Sequence, residues 1–216
     1  MVLFVLFFIV VAVVGCVSYF VGQQRIRDLA TFAGAHGLAV LGSDWDLDDR
    51  GFALFRAGNR RYWRNVLRGQ WNGLPVTYCD YSYVVSDGKS QNTVSFSIVI
   101  VALGMQSPQV ICAPRGAIGA LAERSVGAPG IRFESIDFND RFDVQCGDAA
   151  FAVELIDAQM IETLLGLDPA YHVVFGPEDL MVYSHRMPVA EIAALFDAAA
   201  LVAQRIPALV RPRPAG

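Results

Sequence analysis

The sequence predicts an α+β protein in which an N-terminal transmembrane helix precedes a mostly antiparallel β-sheet domain with interspersed helices. Three features of the chain lead there. Residues 1–21 carry no charged side chain. Between 52 and 103, apolar and polar residues alternate in segments joined across Gly-containing turns, the pattern of strands in an antiparallel sheet. Beyond 103, strand-like runs alternate with runs of helical period that open on Asp or Pro. Composition agrees: of 216 residues, 54% are apolar and 18% charged, and the mean hydropathy is +0.41. That balance excludes a disordered chain and suits a short membrane segment joined to a folded domain. With 17 basic and 21 acidic residues the net charge is -4, which speaks against nucleic acid as a partner.

The first element, 1–22, is read as a transmembrane helix, because 21 uncharged residues at 1.5 Å each match the roughly 30 Å of hydrocarbon and lipid leaves the backbone no partner but itself. A cleaved signal peptide would open on Lys or Arg and close on an A-x-A site, and neither is present. Val13-Val14-Gly15-Cys16 imitates a lipobox, but no basic residue precedes it and the apolar stretch continues to Val21. Arg25 and Arg27 follow at once, so the positive-inside rule puts the amino terminus outside and the rest of the chain in the cytoplasm. Gly15, Ser18 and Gly22 leave one side of the helix thin enough for a second helix to pack there. A juxtamembrane helix, 23–37, continues it. Ile26, Leu29, Ala30, Phe32 and Ala33 form its apolar stripe, Arg25, Arg27 and Asp28 lie off that stripe, and Gly37 stops it.

The cytoplasmic domain, 38–206, opens on the acidic turn 44–51. Its aspartates at 44, 46 and 48 imitate a calcium loop, but Asp49 stands where glycine is needed and Phe55 where the bidentate Glu belongs. Strands are predicted at 52–56, 62–68, 74–85 and 93–103, the last two forming a hairpin across Asp87-Gly88, with Val94, Phe96, Ile98 and Ile100 on one face of the last strand and Thr93, Ser95 and Ser97 on the other. Arg56, Arg60, Arg61, Arg64 and Arg68 crowd into thirteen residues. Beside a bilayer they would contact anionic headgroups or an acidic partner, each contributing on the order of 1 kcal/mol; solvated strand edges are the simpler account of them. Further strands are predicted at 109–113, 131–133, 141–146, 171–175 and 180–185, and a short helix at 115–124. Asp148 and Asp157 cap two helices, and Pro188 opens the last one, whose Ile192, Leu195, Phe196, Ala199, Val202 and Ile206 face the core. An extended tail, 207–216, closes the chain.

No catalytic constellation emerges. The sequence has no P-loop, no G-x-G-x-x-G and no G-x-S-x-G. His36, His172 and His185 have no metal-ligand spacing. Cys16, Cys79, Cys112 and Cys146 form no C-x-x-C pair, and the last three sit in apolar strand contexts that raise a thiol pKa and blunt its nucleophilicity. Glu134, Asp137, Asp140 and Asp143 border a turn and read as a polar rim. No catalytic residue, metal or cofactor is expected.

Phe133-Glu134-Ser135, then Phe138-Asn139-Asp140-Arg141-Phe142-Asp143-Val144, Asp148, Ala152, Leu155-Ile156, Met160 and Leu164-Leu165, together with Gly69 and Tyr78-Cys79-Asp80-Tyr81 upstream, carry a resemblance. Over that span, 69–165, the chain resembles an uncharacterised family of bacterial, largely actinobacterial, single-span membrane-anchored proteins. The matched positions are mostly core and turn, so the resemblance implies a fold and no catalytic residue. The layout also looks like that of accessory subunits of actinobacterial membrane complexes, the cytochrome bcc-aa3 oxidase respiratory assembly among them. The function expected is therefore a non-enzymatic accessory or scaffold subunit at the cytoplasmic membrane, partnered by integral membrane subunits and the lipid bilayer through Gly15, Ser18 and Gly22 and through Arg25, Arg27 and the arginines of 56–68. The alternative is a membrane-tethered sensor or ligand-binding domain.

Overall fold

A computed structural model of the chain describes residues 2–43, 50–86, 88, 90–104, 106–117, 130–208 and 210. In the first helix the side chains of 2–3, 5–15 and 17–18 lie outside that description. Among the described residues no helix is long and apolar enough to cross a membrane. Most side chains of the predicted transmembrane segment 1–22 lie outside the description, so its crossing of a membrane is not shown.

Helix α1, Val2–His36, runs without a break from the apolar stretch into the domain. It ends at Gly37, whose φ of +68° is the left-handed turn that glycine adopts without a Cβ clash, and the Leu38 amide closes back on Ala33 O at 2.9 Å. The strands that follow are β1 Ala39–Gly42, β2 Asn59–Trp71, β3 Leu74–Ser86, β4 Gln91–Ala102, β5 Val110–Pro114, β6 Gly130–Ile131, β7 Phe142–Cys146, β8 His172–Phe175 and β9 Asp179–His185. They form one sheet in the order β1-β2-β3-β4-β9-β8-β5-β7-β6, every pairing antiparallel. The protein is α+β. Asn72 and Gly73, with φ of +50° and +78°, make the two-residue turn between β2 and β3, the geometry that matches strand twist.

Register aligns one row of side chains across all nine strands: Val40, Leu67, Tyr78, Val99, Val182, Val173, Cys112, Val144 and Ile131. Helices cover this face. They are the end of α1, α2 Ile136–Arg141, α3 Ala149–Leu155, α4 Ala158–Gly166 and α5 Ile192–Arg205. Ser135, Asp148 and Asp157 cap α2, α3 and α4 by accepting from the amides of Phe138, Phe151 and Met160 at 3.2, 3.0 and 2.8 Å. The six positions predicted to turn the last helix inward are all buried.

The opposite face is also covered. Cys79, Tyr81, Phe96, Ile98, Ile100, Val174 and Met181 pack beneath Phe52, Leu54 and Phe55. The predicted strand 52–56 is instead a 3-10 helix, Ala53–Arg56. Gly51 and Gly58, at φ of +75° and +62°, break the extended chain on either side, and the coil lets Phe52 and Phe55, three residues apart, face the sheet together. This strap is held by Arg50 on Asp179 at 2.8 Å and by the Tyr81 hydroxyl donating to Leu54 O at 3.1 Å. With both faces covered, Ser97 is buried rather than solvent-facing, and Val99 and Val101 continue its face into the core. Most of the predicted helix 115–124, residues 44–49 of the predicted acidic turn, residues 125–129 and most of the tail 207–216 lie outside the described residues. Helix α2 was not anticipated.

Candidate functional site

The largest network of side-chain hydrogen bonds among the described residues lies where α1 meets the sheet. Arg25, Leu29, Phe32 and His36 recur at spacings of four, three and four, which puts them on one side of the helix. Phe32 stacks on Trp71 at 6.0 Å and lies 5.7 Å from Phe196 of α5, His36 meets Trp71 edge-on at 4.8 Å, and Trp71 Nε1 donates to Asp197 at 2.7 Å. Leu29 and Ala33 are buried. The predicted stripe is thus rotated: Ile26 and Ala30 are exposed, and Arg25 takes the inward place.

The sheet supplies its partner. Register sets Asp80 on β3 between Arg64 on β2 and Ser97 on β4, with Ser184 beyond on β9, a polar row on the same face as the Tyr78 row. Arg25 grips Asp80 with two parallel bonds, Nε to Oδ2 and Nη2 to Oδ1, both 2.7 Å. Its Nη1 donates to Met187 O at 2.7 Å, and Nη2 also reaches the Tyr78 and Ser97 hydroxyls at 3.1 and 3.4 Å. The carboxylate further accepts from Tyr78 Oη at 2.7 Å and Asn65 Nδ2 at 2.8 Å. Ser97 Oγ takes the Met187 amide at 3.1 Å. Asn65 is aimed by a β-bulge: three steps of β2, from Arg64 to Leu67, oppose two steps of β3, and Asn65 absorbs the extra residue at a φ of +52°.

The two charged side chains are 11% and 9% exposed, so their ionisation depends on one another. Burial would raise Asp80, but the hydrogen bonds and charge of Arg25, with Asn65 and Tyr78, outweigh it and hold the carboxyl below its usual range. Burial likewise opposes the Arg25 charge, yet Asp80 keeps its pKa above the ordinary value. Tyr78 is pushed up, first by burial and then by the Asp80 charge. With four donors on the carboxylate, no lone pair remains free to move a proton. The site is suited to joining, not to catalysis.

The other sequence candidates scatter. Arg25 is therefore no surface contact: its position four residues before Leu29 turns it into the domain. Arg27, Arg56, Arg60, Arg61 and Arg64 are exposed and Arg68 is half-buried. Strand alternation divides the group, with Arg64 on the Asp80 face, 5.2 Å over the Tyr62 ring, and Arg61 donating to Phe55 O at 2.9 Å under the strap. Gly22 has no atom within 4 Å of where a Cβ would lie. The side chain of Ser18 and the surroundings of Gly15 lie outside the described residues.

Of the acidic rim, Asp143 accepts from the Gly116 amide at 2.8 Å and Asp140 pairs with Arg115 at 2.7 Å. His172 stacks on Tyr183 and His185 on Phe96, at 4.5 and 5.3 Å. All four cysteines are free, and burial pushes the Cys79 and Cys112 thiols up. Among the described residues no group of His, Cys, Asp and Glu could hold a metal. Sequence reasoning missed Asp80, Asn65, Tyr78, Ser97 and Met187 as a site. The available signal was a carboxylate at 80 inside a run of strand residues, on a face that the register buries.

No protein-family model matches the sequence, and no curated protein matches it. Among solved structures, the crystal structure of the mycobacterial trehalose monomycolate transport factor A, TtfA, is similar: 14% of residues are identical, the match covers 89% of this chain and 99% of that one, and the TM-score is 0.67. The fold is shared over nearly the whole of both.

Proposed function

We propose that this chain is a non-enzymatic accessory subunit of a cytoplasmic-membrane complex. Residues 1–22 anchor it as a single spanning helix with its amino terminus outside, and the sheet domain lies in the cytoplasm. The observation that carries this reading is the buried Arg25–Asp80 joint. It welds the last third of one uninterrupted helix to β3, an inner strand of the sheet, so helix and domain move as one body. A tethered enzyme has no use for a fixed pose, whereas a subunit that must present one surface to neighbours at a fixed height does.

Two kinds of complex are compatible with the sequence, a respiratory assembly and a transport assembly. The fold shared with a trehalose monomycolate transport factor supports transport, of a glycolipid or comparable amphiphile, and nothing in the structure supports the respiratory one. Affinity purification of the full chain in mild detergent, followed by native electrophoresis and mass spectrometry, tests the proposal. Co-purification with an integral membrane transporter is the result expected; a lone monomer, or oxidase subunits as the stable partners, overturns it. Protease added to intact spheroplasts tests topology, and digestion of the domain refutes the orientation.

A further inference from the structure

Beside the joint, between α1 and β2, lie two adjoining cavities with Ile26, Arg64 and Asn65 in common, which we read as one groove. The larger, of about 260 Å³, is walled by Leu29, Ala30, Val40 and Leu67. Two of the groove's side chains, Ile26 and Val40, are about half exposed. The smaller, of about 120 Å³, is polar and contains Arg64, Arg186, Ser82, Ser95 and Asp80. Asp80 contributes no net negative charge there, since Arg25 already neutralises it, and Arg186 approaches it no nearer than 3.8 Å. Arg64 and Arg186 thus leave the mouth positive. Together the two cavities fall near the lower end of the roughly 300–1,000 Å³ typical of small-ligand sites.

We propose that this groove binds a single-chain anionic amphiphile, a long-chain fatty acid, with its carboxylate between Arg64 and Arg186 and its chain against Leu29, Ala30 and Leu67. The order of the two cavities along α1 selects the class. The charged one touches Gly22, three residues before the first charged side chain, and the apolar one lies one to two turns farther on. A two-chain lipid seated in the bilayer has its chains on the other side of its headgroup. A fatty acid that has left the bilayer fits head toward the membrane and tail away. That orientation rests on the anchoring proposed above, whereas the binding itself does not, so a failed spheroplast topology test leaves the binding test standing.

The test uses the full chain in nanodiscs of neutral phosphatidylcholine and a fluorescent long-chain fatty acid, with its methyl ester as the uncharged control. Saturable binding near one per chain is expected, with the ester at least tenfold weaker. Arg64→Gln and Arg186→Gln each weaken the acid about tenfold and leave the ester unchanged. Ala30→Trp fills the apolar cavity from an exposed position and abolishes both, and an unchanged melting curve shows that it folds. Equal affinity for acid and ester, indifference to Ala30→Trp, or stronger displacement by phosphatidylglycerol than by unlabelled fatty acid overturns the proposal. So does binding that occurs with the isolated chain and vanishes in the purified complex, since a partner then owns the groove.

Discussion

Replacing Asp80 by Ala removes the carboxylate that takes two bonds from Arg25 and one each from Asn65 and Tyr78. The Arg25 guanidinium, 11% exposed, is left charged against one carbonyl and two hydroxyls. Breaking one side of a buried pair costs about 3–5 kcal/mol, most of it from the uncompensated charge, against a total stability of roughly 5–15 kcal/mol for a domain. Arg25→Met alone costs a similar amount, because Asp80 then stays ionised without its counter-charge. The double variant Arg25→Met with Asp80→Leu buries no charge and recovers most of the loss, so the two effects fall short of additivity by about 3 kcal/mol. Urea unfolding of the full chain in detergent measures this, with tryptophan emission as the signal, since Trp71 stacks on Phe32 of α1 and reports separation of helix from sheet. A loss below about 1 kcal/mol for Asp80→Ala, the scale of an exposed ion pair, or additive single effects would refute the buried joint.

Three further outcomes are expected. Asn65→Gly keeps the bulge geometry but loses the bond to Asp80, costing about 1 kcal/mol; Asn65→Ala adds the strain of a positive φ and costs about 2–3 kcal/mol, an order of effects that denaturation midpoints will check. His172 is held down to about 4 by burial and then by the charge of His185, so the unfolded chain binds its proton first. Stability falls as pH drops from about 6.5 toward 4, by on the order of 2–3 kcal/mol, and His172→Gln flattens that slope; an unchanged slope rejects the assignment. Asp80 acts in the same direction but at lower pH, since its depressed pKa keeps its contribution intact above about 4 and loses it only below. Finally, Cys79 and Cys112, fully buried with raised pKa values, should resist maleimide in the folded chain and react at once in urea, as mass spectrometry of quenched samples will show.

Local sequence determined what depends on neighbours a few residues apart. Asp148 and Asp157 announced helices because a carboxylate can reach the third amide ahead of it, and α5 was legible because its apolar residues recur at 192, 195, 196, 199 and 202. The long hairpin β3–β4 followed from alternation. None of these needs a distant partner. The pairings β4 with β9 and β5 with β8 join segments about 60 to 90 residues apart, and several strands have interchangeable apolar patterns, so only packing of the whole sheet chooses among them. The strap escaped notice for a related reason: an apolar tetrad reads equally as strand or coil until a second face needs covering.

What the chain by itself determined is therefore an uncharged opening stretch, a helix leading from it and an α+β domain beyond. Tertiary structure decided which way Arg25 points. Two residues from Arg27 in sequence, it reads as one more basic residue at a membrane edge, and only its helical phase with Leu29 and Phe32 sets it apart. A carboxylate 55 positions away, brought beneath the helix by the register of three strands and by a one-residue bulge, makes Arg25 the pin of the joint and leaves Arg27 in solvent. The strength of a charge pair depends on the burial around it, and burial is a property of the assembled fold.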